Sequence, residues 1–148
     1  METQSFLLEA LTLAEEAASH GEVPVGAVIV HEGKIVGRGS NSREKSQDPL
    51  GHAEIQAIHE ASKSLQSWRL IDCDLYVTLE PCPMCLAACQ QARIRKVVYG
   101  AKDEKGGAIC LGFGVHDHPK LNHRFQVLYS PMEACSLVLK EFFAKLRS

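Results

Sequence analysis

A mixed α/β fold, a five-stranded sheet with helices on both faces, is what this sequence predicts, and three observations carry the expectation. Apolar residues near the start recur at helical spacing, two apolar runs then flank a glycine-containing pair, and strand-like and helix-like segments alternate through the middle of the chain. Such alternation implies parallel crossovers. An antiparallel hairpin at one edge should therefore join parallel strands.

Phe6, Leu7, Ala10, Leu11, Ala14, Ala17 and Ala18 share one helical face, and Gly21 stands where the helix should stop, so the first helix spans roughly residues 4 to 20. Val25 to His31 and Lys34 to Arg38 read as two antiparallel strands closed by Glu32-Gly33. The polar stretch Asn41 to Gly51, with Asp48-Pro49 inside it, is a loop leading to a helix that begins near His52. Leu75 to Leu79 is a buried strand ended by Glu80-Pro81, and a helix carrying Cys82, Cys85, Ala88 and Cys89 follows. Lys96 to Gly100 and Gln126 to Tyr129 complete the strands, with a long connection over 101–124 between them. Ser130-Pro131-Met132-Glu133 has the form of a capping box opening a last helix that runs to about Leu146.

At 148 residues the chain has the length of one domain, residues 1–148, and its 45% hydrophobic and 23% charged content is that of a globular protein. No apolar run is long enough to span a membrane and no export signal opens the chain, so a cytoplasmic protein with no membrane partner is expected. In a reducing compartment Cys82 and Cys85 read as ligands, and Cys73, Cys89, Cys110 and Cys135 as small buried apolar residues. The formal charge of -2 gives no global attraction to a polynucleotide. Any such partner must be held by a local patch.

Chemistry concentrates in His52-Ala53-Glu54 and in Pro81-Cys82-Pro83-Met84-Cys85. Cys82 and Cys85, three apart at a helix start, can grip one ion, with the helix dipole favouring anionic sulfur. His52 adds a third ligand from another helix, and three protein ligands with one position left for water is the catalytic rather than the structural arrangement of zinc. Two thiolates offset the charge of the ion, so its water is acidified less than in an all-imidazole site and a base is needed. Glu54 is the candidate for that base. Residues two apart do not face alike along a regular helix, so His52 and Glu54 share a pocket only at a helix entrance. Taken alone, Cys-x-x-Cys suits a thiol-disulfide pair equally well, and a purely structural zinc module is a further alternative. The combined pattern, His-x-Glu then Pro-Cys-x-x-Cys, is the signature of nucleobase deaminases, in which the carboxylate serves as base and then acid.

The segments outside the metal motifs decide the subfamily. They are Glu22-Val23-Pro24-Val25-Gly26-Ala27, Asn41, Asp48-Pro49, Tyr76 to Pro81, Gly100-Ala101-Lys102-Asp103 and His118-Pro119 with Asn122-His123-Arg124. Through them the chain resembles the bacterial tRNA-specific adenosine deaminases of the TadA type. The resemblance implies a single zinc-dependent deaminase domain folded as a cytidine-deaminase-like three-layer α/β/α sandwich. It also implies one Zn2+ per subunit, a homodimer, and conversion of the wobble adenosine of a tRNA anticodon to inosine. In this resemblance Asn41 hydrogen-bonds the flipped nucleoside, Val23 and Leu79 wall the base pocket, Ala53 is a further substrate contact, and Asp103 lies beside the sugar of the target nucleotide. Lys102, Lys105, Lys120 and Arg124, in or next to the long connection, are candidate phosphate contacts. Leu50-Gly51, Ile109-Cys110-Leu111 and Asp117 depart from the usual family pattern. A free-base or nucleoside deaminase acting on guanine, cytosine or cytidine is the alternative with the same zinc chemistry.

Overall fold

A computed structural model describes residues 2–147; Met1 and Ser148, the ends of the expected domain, lie outside the described residues. The elements run α1 (Glu2–Ser19), β1 (Gly26–His31), β2 (Lys34–Ser40), α2 (Arg43–Ser46), α3 (Ala53–Leu65), β3 (Cys73–Leu79), α4 (Pro83–Ala92), β4 (Lys96–Ala101), β5 (Gln126–Tyr129) and α5 (Glu133–Arg147). The sheet order is β2-β1-β3-β4-β5. β1 is antiparallel to both β2 and β3, while β3, β4 and β5 run parallel. This is the expected mixed sheet.

Strand alternation sorts the apolar residues into two layers. Ala27 and Ile29 of β1, Leu75 and Val77 of β3, and Val97 and Tyr99 of β4 pack with Ala53, Ala57 and Ala61 of α3 and with Leu86 and Cys89 of α4. Their neighbours Val28, Val30, Tyr76 and Val98 turn to the other face against Leu7 of α1. On that same face Cys135 of α5 packs with Leu11 of α1 and Ala101 of β4. Helices thus cover both faces of the sheet in three layers. The β1–β2 hairpin closes through Glu32 and Gly33, both at positive φ (52° and 77°), the twist that a two-residue turn between antiparallel strands requires.

Several boundaries differ from the expectation, and three of the differences trace to tertiary contacts. The segment 41–51 contains the short helix α2, whose first amides, those of Glu44 and Lys45, donate to the buried Glu22 carboxylate at 3.2 and 2.7 Å. Four residues carry no readable period, and the group that holds them lies about twenty positions upstream. β3 begins at Cys73 rather than Leu75 because Asp74, opposite Lys96 in the β4 register, is paired with Arg95 at 2.9 Å and so tolerates burial. α5 starts at Glu133, not Pro131: the amides of Ser130 and Met132 donate to the carbonyls of Tyr99 and Gly100 and keep that segment on the end of β4.

Cys73, Cys89 and Cys135 are buried as expected, and Cys110 is not. Its thiol donates to a carboxylate oxygen of Glu80 at 3.1 Å, so a polar partner, not an apolar shell, fixes its place.

Candidate active site

The site lies where the N-termini of α3 and α4 meet beside the C-terminal end of β3. His52 is the N-cap of α3, in extended conformation (φ -89°, ψ 149°), and Glu54 is the second helical residue. This entrance geometry lets two side chains two positions apart converge on one pocket. Cys82 is likewise the extended N-cap of α4 (φ -72°, ψ 169°), with Pro83 opening the helix and Cys85 inside its first turn. The chain from Thr78 to Pro81 is buried apart from half-buried Leu79, so β3 delivers Cys82 from a fixed base.

The approach of α3 to the sheet depends on missing side chains. A Cβ at Gly39 would overlap the carbonyl oxygen of Ala53, and one at Gly37 that of Ala57. Ala53, Ala57 and Ala61 present only methyl groups to these glycines, and all three are fully buried. Gln56 completes the attachment: its amide oxygen accepts the Ser40 amide at 3.2 Å, and its nitrogen donates to the Ser42 hydroxyl.

His52 Nδ1 stands 3.6 Å from Cys82 Sγ and 3.4 Å from Cys85 Sγ. The three donor atoms lie within 4.8 Å of one another, a spacing that suits a common ion, and imidazole with two thiols is a donor set that zinc favours. Charges are already disposed for it. Hydrogen bonds from the Cys85 thiol and the His52 ring bring the Cys82 thiol down to about 4 against the opposition of burial. The same contact with Cys82 raises the His52 imidazole, and Cys85, left as the donor to its neighbour and buried, is pushed up. An ion bound here displaces protons from these groups.

Glu54 is 4% exposed, and burial pushes its carboxyl up to about 7, with the nearby Cys82 sulfur adding to the effect. A carboxyl balanced near neutrality can both take and give a proton at working pH.

These groups open into a cavity of about 150 Å³. Val23, Asn41, Ala53, Leu79 and Asp103, the five residues expected to face a substrate, all line it. Asn41 donates its side-chain amide to the Val23 carbonyl at 3.3 Å, while its Oδ1 is buried without a partner. Val25, Arg43 and Glu80 also line it, and sequence reasoning missed them. For Glu80 a signal existed, since it ends a buried strand immediately before the cysteine motif. Burial opposes its ionisation, but the Cys110 amide and thiol and the Asp103 amide outweigh burial and hold it below the ordinary carboxylate range.

Residues 1–147 match the family of MafB19-like deaminases. The tRNA-specific adenosine deaminase of Aquifex aeolicus (strain VF5) is 48% identical over 148 residues, 100% of this chain and 98% of that protein. The chain belongs to the tRNA-specific adenosine deaminase family. A solved structure from work on A-to-I editing by tRNA:A34 deaminases at the wobble position of transfer RNA superposes with a TM-score of 0.82 at 42% identity, covering 88% of this chain and 100% of that one. The guanine deaminase of Bacillus subtilis is more distant, with a TM-score of 0.66 and 34% identity over 98% of this chain and 94% of its own. Family membership makes the chain a deaminase and accounts for the fold as the cytidine-deaminase-like sandwich.

Lys102, Lys105, Lys120 and Arg124 stand outside the cavity lining and are exposed. Lys102 sits over the Tyr129 ring, 4.9 Å from its centroid. The Arg124 guanidinium donates to the carbonyls of His118, Pro119 and Leu121 at 3.1 to 3.4 Å. Among the described residues no helix is long and apolar enough to cross a membrane.

Proposed function

We propose that this chain is a zinc-dependent hydrolase that deaminates the wobble adenosine of a tRNA anticodon to inosine. The observation that carries the reading is the convergence of His52, Cys82 and Cys85 at one corner of a cavity floored by buried Glu54. Imidazole Nδ1 and the two sulfurs would hold the ion. Bound there, zinc supplies a positive centre with an open position at which water is acidified.

Glu54 does the proton work. It takes one proton from water and delivers it to the ring nitrogen beside the attacked carbon, and a second passes to the amino group, which leaves as ammonia. Water supplies the oxygen that replaces nitrogen, so no oxidant or reductant enters. Asn41 hydrogen-bonds the nucleoside, Val23, Ala53 and Leu79 enclose the base, and Asp103 meets the sugar. Such a cavity suits a nucleotide splayed from a loop, which needs no duplex melting.

Lys102, Lys105 and Lys120, with Arg124 less freely available, supply the local phosphate contacts that the net charge of -2 does not. A cytoplasmic homodimer, with one zinc per subunit and each subunit a single domain over 1–148, completes the reading; exposed Ile109, Leu111 and Phe113 offer apolar surface for pairing.

The deciding experiment incubates the protein with an anticodon stem-loop bearing wobble adenosine and sequences for inosine, with guanine, cytosine and cytidine in parallel. Inosine at the wobble position is expected. Ammonia from a free base with the RNA unchanged would transfer the assignment to a free-base deaminase. Glu54→Ala should keep its zinc and lose activity by at least about a hundredfold, the lower end of what a positioned acid-base group contributes. Retained activity in that variant would remove Glu54 from the mechanism.

A further inference from the structure

We infer that Glu80 is a positioning residue for this reaction, acting through Asp103 by fastening both ends of the 103–110 loop against the cavity; the inference rests on the substrate reading above. Glu80 is 2% exposed, yet it touches none of the proposed zinc ligands by hydrogen bond. Its carboxylate instead receives three donors from one loop. The Asp103 amide reaches Oε1 at 3.1 Å, the Cys110 amide reaches Oε2 at 3.0 Å, and the Cys110 thiol donates to Oε1 at 3.1 Å. The first and last residues of the loop are therefore held by one charged group.

Inside the loop the Gly107 amide bonds back to the Asp103 carbonyl at 2.8 Å, and a Cβ at Gly107 would overlap Glu80 Oε2. Only glycine lets the carboxylate sit this close to the backbone. Asp103 is oriented in turn, because its Oδ1 accepts the Lys105 and Gly106 amides at 3.2 and 3.0 Å. Oδ1 is thus engaged within the loop, which fixes the Asp103 carboxylate at the wall of the cavity that both residues line. Thus Glu80 sets where the loop begins and Asp103 offers the result to the substrate.

Glu80→Gln tests this, because an amide nitrogen at either oxygen position leaves the Asp103 or the Cys110 amide without its acceptor. On the stem-loop, KM should rise about tenfold, the size of one charge-assisted hydrogen bond, with kcat within about twofold and zinc content unchanged. In an Asp103→Ala background the same substitution should add no further rise in KM, since the two act in series. Amide exchange should accelerate at Asp103 and Cys110 and stay unaltered in α1 and β1. Cys110→Ala, which removes one of these donors, should show the same pattern more weakly if Glu80→Gln does not fold.

An unchanged KM, or an equal rise with Asp103 already removed, overturns the inference. So does a fall in kcat accompanied by loss of zinc, which would assign Glu80 to support of the ligands. A wild-type chain that leaves the stem-loop unedited sinks the substrate reading instead, and amide exchange at the two loop ends then decides on Glu80 alone.

Discussion

Glu54 is a carboxyl whose burial opposes the charge that proton transfer requires. In the metal-free chain its pKa of about 7 stands above the ordinary value of 4.5, so between these limits the folded state binds more protons than the unfolded one. Stability therefore falls as pH rises through that window. Glu54→Gln removes this slope, and should stabilise the metal-free chain by up to about 3 kcal/mol above pH 7 and by nothing below pH 4.5. Urea midpoints measured with a chelator at both pH values check it; an equal gain at both would show a cause other than ionisation. The four residues His52, Glu54, Cys82 and Cys85 were legible because the chemistry fixes both their types and their spacing. Glu22 and Glu80, each gripping the amides of one cavity loop, were not, since in sequence a buried glutamate reads like any surface carboxylate until its donors are folded around it.

Among the elements, β2 and α3 form the contact on which the site depends. Gly37 and Gly39 leave no room for a methyl group, so Gly37→Ala and Gly39→Ala should each cost about 1–3 kcal/mol as α3 is pushed from the sheet. They differ in what they displace. Gly39 lies under Ala53, between His52 and Glu54, whereas Gly37 lies under Ala57 one turn further on. Zinc affinity and kcat should therefore fall in Gly39→Ala while Gly37→Ala loses stability alone, as read by chelator competition and steady-state kinetics on the two variants. Similar kinetics in both would mean that the helix shifts as a unit and that the local fit at Ala53 carries no special role. The five strands and their mixed pairing were legible from alternation and from the Glu32-Gly33 turn, local signals that need no tertiary context. α2 and the start of α5 were not, because each is set by a remote partner: the Glu22 carboxylate in one case, the carbonyls of Tyr99 and Gly100 in the other.

For the whole molecule, charge bounds how it can hold RNA. A chain with 16 basic and 18 acidic residues repels a polyanion on average, so binding must come from a few local contacts rather than from a general field. Lys102, Lys105 and Lys120 are the lysines of the proposed patch, Lys102 lying over the Tyr129 ring and Arg124 being engaged with three backbone carbonyls. Each phosphate neutralised on a single-stranded loop contributes about -0.7 to the slope of log K against log salt, which gives about -2 for three lysines. The measurement is an anisotropy titration of the stem-loop with the Glu54→Ala variant, which binds without turnover, across a series of salt concentrations. Removing Lys105 or Lys120 should lower the slope by about 0.7 each while changing affinity by a similar factor for loops of different sequence, because phosphate contacts position the RNA without reading it. A slope much steeper than -2, unaltered by either substitution, would place the electrostatic contact on another face of the protein and leave these lysines as solvated surface.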